Sequence, residues 1–253
     1  MKDQDYAKEN HEICLALLDK FLEICEKYKI DYYLTEGSAL GAIRHKGFIP
    51  WDYNVDVHLD VYNYRKLDMA MKQEDLGDSL WYRPPFRIIP FFMRRDSLDF
   101  TIRPNIDITI MGNAPNNRVL RWLFMNILFV NIKMFKLKNT EVKRSFPFNI
   151  FRLFAKCFPD TFYWRILKWS MNLDQSANKK YLTALTPSFY GTSELIKKEW
   201  IGAKPVYGEF EGRKVRLFEN SHEYLTNRYG DYMKPVVWEN KGEYNGCFYD
   251  HKQ

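Results

Sequence analysis

The chain has 253 residues, 46% of them apolar and 28% charged, a balance that fits a soluble globular protein made of one large domain or one domain with an appendage. Its four cysteines (Cys14, Cys25, Cys157, Cys247) are scattered without a CxxC pair, which argues against a disulfide framework or a zinc site and for reduced thiols. The net charge of +6 is uneven: residues 118–168 hold eleven lysines and arginines against two acids, an excess that points to a phosphate-rich donor, nucleic acid or a membrane surface.

The opening "MKDQDYAKENHEICLALLDK" is charged and lacks a basic-then-apolar leader pattern. No apolar run approaches the ~20 residues of a spanning helix. The expected location is therefore cytoplasmic. Residues 5–28 read as an amphipathic helix, with Ile13, Leu17, Phe21 and Cys25 four apart. "KIDYYLTE" reads as a short strand, and "GSALGAIRHKG" as a turn opening a short helix. "VDVHLDV" alternates strictly, the periodicity of a strand, and residues 60–75 read as helix. "FRIIPFFMRR", "LDFTIRP" and "NIDITIMGN" are strand candidates, with Pro90 and Pro104 as breaks. "RVLRWLFMNILFVNIKMFKLK" predicts a helix or a hairpin of helices, and a second such stretch runs through "YWRILKWSMNL". "VYGEFEGRKVRLFEN" predicts a hairpin, and "SHEYLTNRYGDYM" a helix with Ser221 as N-cap and Gly230 at its end. The expectation is a single α+β domain over residues 1–253, a mixed sheet flanked by helices, with a basic, aromatic helical insertion over about residues 118–175.

"GFIPWDYNVDVHLD", residues 47–60, carries the chemistry. In a strand, Asp52, Asn54 and Asp56 share one face. Close carboxylates repel, and they persist when a cation sits between them. Hard cations such as Mg²⁺ take one or two carboxylates plus substrate phosphates. A solvent-facing polar strand edge would show the same alternation. The context favours a metal clamp. Gly37-Ser38 opens a helix whose backbone N–H groups suit a phosphate. Arg44, His45 and Lys46 follow as candidates for a diphosphate, and Asp107 stands alone within another apolar alternation. A glycine-serine turn, an acidic pair and a third acid on a neighbouring strand form the nucleotidyltransferase-like pattern, in which acids hold metal and one activates the acceptor hydroxyl.

"YYLTEGSALGAIRHKGFIPWDYNVDVHLD" resembles the signature of the LicD family, and "HEYLTNRYGDYM" resembles that family's closing motif. The two blocks span about residues 10–235, and relatives include the fukutin-type ribitol-phosphate transferases. The resemblance implies transfer of a phosphocholine or phospho-alditol group from a CDP-activated donor to a sugar hydroxyl of a surface glycan, such as lipopolysaccharide or teichoic acid. It implies Mg²⁺ or Mn²⁺ on Asp52, position 54, Asp56 and Asp107, with Asp107 also the candidate base for the hydroxyl. Gly37 and Ser38 would sit by the donor phosphates, Arg44 would neutralise the diphosphate, and His45 and Lys46 would stand beside it. Asn54 departs from the family's Asp: it offers one carbonyl oxygen but no charge. An inactive engineered variant, a natural divergence with weaker metal binding, and a CDP-ligand-binding relative without catalysis all remain open. A nucleotidyltransferase acting on RNA or a small antibiotic is the other class; the partner expected here is no nucleic acid but a glycan or lipid-linked saccharide. Trp51, Tyr53 and Trp81 are candidates to stack on cytosine or hold a quaternary ammonium, against a plain packing role. The stretch 118–169, with Trp122, Trp164 and Trp169, suits either contact with the inner face of the cytoplasmic membrane or a cap over the sheet. Asp231 in the closing motif is either a substrate contact or part of a packing corner.

Overall fold

A computed structural model describes residues 2–50, 52–82, 90–96, 104–139, 146–173, 178–186 and 195–234. In chain order the elements are α1 (Lys2–Lys27), β1 (Tyr33–Leu34), α2 (Glu36–Arg44), β2 (Asn54–Asp60), α3 (Val61–Gln73), β3 (Ser79–Tyr82), β4 (Phe91–Arg94), β5 (Asn105–Ala114) and α4 (Arg118–Lys138). Then come α5 (Phe146–Lys156), α6 (Asp160–Met171), β6 (Tyr181–Ala184), β7 (Leu195–Lys197), α7 (Lys198–Ile201), β8 (Val206–Phe210), β9 (Arg213–Leu217) and α8 (Ser221–Tyr229).

The main sheet runs β1-β2-β5-β4-β3, and β6 pairs with the far half of β5 and with β7. Among the described strands of this sheet only the β2–β5 pair is parallel; the others are antiparallel. This bears out a mixed sheet with helices. A parallel pair needs a crossover, and the chain between β2 and β5 supplies it through α3, β3 and β4. Val55, Val57 and Leu59 of β2 and Ile106, Ile108 and Ile110 of β5 are fully buried, which leaves Asn54, Asp56 and Asp107 on the other face. α1 places Ile13, Leu17, Phe21 and Cys25 in the same core, as its spacing predicts. α3 starts at an Asp60 cap, whose carboxylate accepts the Asn63 N–H at 2.7 Å.

Several expectations are corrected or fall elsewhere. "RVLRWLFMNILFVNIKMFKLK" is one helix, not a hairpin of helices: Asn117 caps it and nothing in its interior breaks it. The N-cap of α8 is Asn220; Ser221 lies inside the first turn, its hydroxyl donating to the Phe218 carbonyl at 2.6 Å. Gly230 ends α8 at φ +65°, as expected. Residues 98–103 of "LDFTIRP", residues 86–89 of "FRIIPFFMRR", Trp51 and Cys247 lie outside the described residues. Cys14, Cys25 and Cys157 are free thiols, the first two buried. No helix among the described residues is long and apolar enough to cross a membrane.

Candidate active site

The parallel pairing builds the site. Its register sets Asn54 beside Asn105 and Asp56 beside Asp107. Asn54 Nδ2 donates to Asp56 Oδ1 at 3.1 Å and to Asp107 Oδ2 at 3.2 Å. Asn105 Nδ2 donates to Asp107 Oδ1 at 2.7 Å. The amide of Asn54 must point its nitrogen this way, because its oxygen would face two carboxylates. Burial pushes the Asp107 carboxyl up from its ordinary range; the bonds from Asn105 and Asn54 and the charge of Lys136 act the other way.

Asp52 precedes β2 and stands beside the start of α2. Burial pushes it up to about 6; the N–H groups of Tyr53 and Asn54 oppose this, and the charge of Asp107 adds to it. A Cβ at Gly37 would lie 2.6 Å from Asp52 Oδ2, so a side chain there would displace the carboxylate. Ser38 Oγ accepts the Asp56 N–H at 2.8 Å and ties α2 to β2. Gly37 and Ser38 lie in the first turn of α2, where N–H groups have no acceptor within the helix and suit an anion.

Arg44, His45 and Lys46 stand at the other end of α2, six residues or about 9 Å along the axis from Ser38. Arg44 Nη1 donates to the Tyr232 carbonyl at 2.6 Å, and its Nε to His45 Nδ1 at 3.4 Å. Partial burial, then the Arg44 charge, hold His45 below its ordinary value. Lys46 is exposed at φ +56°, and its carbonyl accepts the Glu211 N–H at 2.7 Å. Gly41 lets α2 pack close: a Cβ there would meet the Gly47 carbonyl at 2.3 Å. The structure thus groups Asp52, Asn54, Asp56 and Asp107 with Gly37 and Ser38, and sets the basic trio apart.

The closing motif grips α2 from outside. Glu36, at φ +49°, accepts from Arg228 Nε at 2.8 Å, Tyr229 Oη at 2.9 Å and Tyr224 Oη at 3.3 Å. Asp231 is exposed and pairs with Lys234 at 2.7 Å. Trp81 packs on the core and donates to Asp68 at 3.0 Å; Tyr53 is half-buried.

Sequence reasoning missed four neighbours of the acids. His11 stacks on Phe48 and donates from Nε2 to the Asp52 carbonyl at 2.7 Å. Cys14 Sγ donates to the Tyr53 carbonyl at 3.0 Å, and burial pushes its thiol up, so it stays neutral. Asn105 and Lys136 complete the set. Asn105 opens the motif "NIDITI" itself and was within reach. The other three come from helices distant in sequence.

Among the described residues no three His, Cys, Asp or Glu side chains converge as a metal cluster. Two carboxylates do stand side by side, and the third place holds an amide. Both carboxylates offer oxygen ligands, and the Asn54 amide could add its carbonyl only by turning over and giving up its two bonds, so the pair fits a hard divalent cation that takes its remaining ligands from phosphate and water.

Residues 29–87, which contain Gly37, Ser38, Asp52, Asn54 and Asp56, match the family LicD/FKTN/FKRP, nucleotidyltransferase domain. The chain is 29% identical over 246 residues to the lipopolysaccharide cholinephosphotransferase LicD of Haemophilus influenzae (strain Rd), covering 90% of this chain and 91% of that protein. An uncharacterised protein of Rickettsia prowazekii (strain Madrid E) is 33% identical over 67 residues, 26% of this chain and 25% of that one. The resemblance to the LicD family is therefore shown by the match of residues 29–87 and by the similarity along nine-tenths of the chain to a LicD protein.

Proposed function

We propose that this protein transfers phosphocholine, or a similar phospho-alcohol, from a CDP-activated donor to a sugar hydroxyl of a surface glycan, on a nucleotidyltransferase-like single domain. The observation that carries the proposal is the parallel register that sets Asp56 against Asp107 beside the N-terminus of α2, in a chain similar along nine-tenths of its length to a cholinephosphotransferase.

Asp56 and Asp107 would hold Mg²⁺ or Mn²⁺, with Asn54 and Asp52 beside them. The ion, when bound, would neutralise diphosphate charge and the developing charge on the CMP leaving group. The N–H groups of Gly37 and Ser38 would take up phosphate oxygens. Asp107 or Asp52 would receive the proton of the attacking hydroxyl; burial pushes both carboxyls up, and a cation bound beside them would act the other way. Lys136 would add positive charge at the same place. Arg44 is held by the tail, so in this reading it serves α2 before it serves the diphosphate.

The test is thermal stability with Mg²⁺ or Mn²⁺ and CDP-choline, CDP-ribitol, CDP-glycerol, CDP-ethanolamine, CMP or ATP. A ligand at about 100 times its dissociation constant adds roughly 2.7 kcal/mol, a readable melting shift. A metal-dependent shift with one CDP-alcohol is expected. No shift with any cytidine nucleotide, in this chain and in its Asn54→Asp variant, would sink the proposal, and a shift with ATP alone would turn it to nucleotidyl transfer.

A further inference from the structure

α4, α5 and α6 expose an unusual amount of apolar surface. On α4, Val119, Trp122, Leu123, Ile127 and Val130 are 45–64% exposed. On α5, Ile150, Phe151, Leu153 and Phe154 are 54–69% exposed. Five of these α4 and α5 side chains (Trp122, Leu123, Ile127, Val130 and Phe154) join Phe162 of α6 around one open cleft of about 480 Å³. Its polar residues offer little to a ligand: Asn126 spends its amide on the Trp122 carbonyl at 2.7 Å, and Asn131 on the Tyr163 carbonyl at 3.1 Å. The remaining Asn131 oxygen is itself buried. A contiguous exposed apolar face of this kind marks an interaction site.

Charge says what covers it. The same three helices expose Arg118, Lys156, Arg165 and Lys168. Their one acid, Asp160, is paired with Lys138 at 2.6 Å. A second copy would bring basic residues against basic residues. A protein partner would call for about one hydrogen bond per 100–200 Å² of interface, and the face has few free polar groups to make them. Apolar side chains with basic neighbours on long surface helices suit the headgroup region of an anionic bilayer, where acyl chains meet the former and phosphates the latter.

We propose that the face formed by α4, α5 and α6 docks this protein on an anionic phospholipid membrane. The docking stands on this face alone and does not need the transfer activity, but it would serve that activity. α4 is 21 residues, about 30 Å, long, and its far end carries Lys136, whose charge acts on Asp107. A docked α4 therefore holds the carboxylate pair within a helix length of the lipid, close to any lipid-linked acceptor.

Flotation of the whole protein in EDTA, without nucleotide, reads docking apart from the carboxylate site. The probes are vesicles of phosphatidylcholine alone and of equal parts phosphatidylcholine and phosphatidylglycerol. The protein should float with the second, weakly with the first, and less as salt rises. At about a tenfold change per 1.4 kcal/mol and roughly 1 kcal/mol per basic residue, removing two bases (Arg165→Ala, Lys168→Ala) should weaken binding roughly thirtyfold. Leu123→Glu with Val130→Glu should abolish it while the melting temperature holds, since both side chains are exposed. Absence of flotation with phosphatidylglycerol vesicles overturns the proposal. So does flotation that these four substitutions leave unchanged. A concentration-dependent dimer dissolved by Leu123→Glu, with no vesicle binding, overturns it in favour of a second copy.

Discussion

The amide of Asn54 has two hydrogens, and two carboxylates take them. It thereby holds Asp56 and Asp107 together without any added charge, as a neutral substitute for what a cation does. Asn54→Asp removes both donors and adds a third negative charge to a half-buried cluster. Bonds to charged groups are worth about 1.5–3 kcal/mol each; one of the three crowded carboxyls should take up a proton and replace one of the two, so the variant should lose about 2 kcal/mol without metal. At about 2–4 °C per kcal/mol for a chain of this size, its melting temperature should fall by roughly 4–8 °C in EDTA. Millimolar Mn²⁺ should restore it, and should move the parent protein less. Equal melting temperatures for the two proteins in EDTA would contradict the bridging role of the amide. The acids themselves were legible in the sequence because strict alternation places 52, 54 and 56 on one face. The amide's partner Asp107 was visible only as a lone acid, because which residue it faces depends on the register of two strands 53 residues apart.

At the level of elements, the first turn of α2 is held from two sides. β2 takes its Ser38, and α8 takes its Glu36. Glu36 sits in left-handed backbone, a conformation that costs a non-glycine residue on the order of 1 kcal/mol and needs outside support. Arg228 and Glu36 are only 20% and 18% exposed, so their pair is shielded from water. Arg228→Ala leaves the Glu36 carboxylate with two tyrosine hydroxyls and no cation, and should cost about 1.5–3 kcal/mol in urea denaturation at neutral pH. It should also lower turnover of a CDP-alcohol, because the first turn of α2 carries Gly37 and Ser38; Arg228→Lys should recover part of both losses. Unchanged stability in Arg228→Ala would show that the tail packs without holding α2. This clasp explains why the two motifs lie at opposite ends of the sequence: they meet in space. The motifs were legible, but their contact was not, since no local pattern encodes a bond across 192 residues. The elements with strong periodicity, α1, β2, α3 and β5, fall close to where alternation and helical spacing put them. The short strands β6 and β7 do not, for three or four residues in a strand carry too little pattern to stand out from loops.

At the scale of the molecule, the question is whether α4, α5 and α6 form a separate body or part of one core. Their inner residues Phe124, Leu128, Ile132, Phe135, Tyr163 and Leu167 belong to the same buried cluster as Ile108, Ile110 and Met111 of the sheet and Leu17 and Phe21 of α1. A shared core makes unfolding of one part expose the other, and cooperative loss is the expected result for a single domain. Two probes separate the regions. Trp122, Trp164 and Trp169 report on the helices by fluorescence once Trp51, Trp81, Trp200 and Trp238 are replaced by Phe. Cys14 and Cys25 report on the α1 side: they are buried, and burial pushes both thiols up, so a thiol reagent reaches them only after unfolding. Cys157 is exposed and should react at once, which makes it the internal control. In a urea series, tryptophan emission and the labelling of Cys14 and Cys25, read by peptide mass, should share one midpoint. An emission change at lower urea, with both thiols still protected, would show that the helices unfold on their own and that the chain has two cores. The same early transition would also bear on membrane docking, because a helical unit that opens independently could expose its inner aromatic side chains to lipid as well as its outer ones.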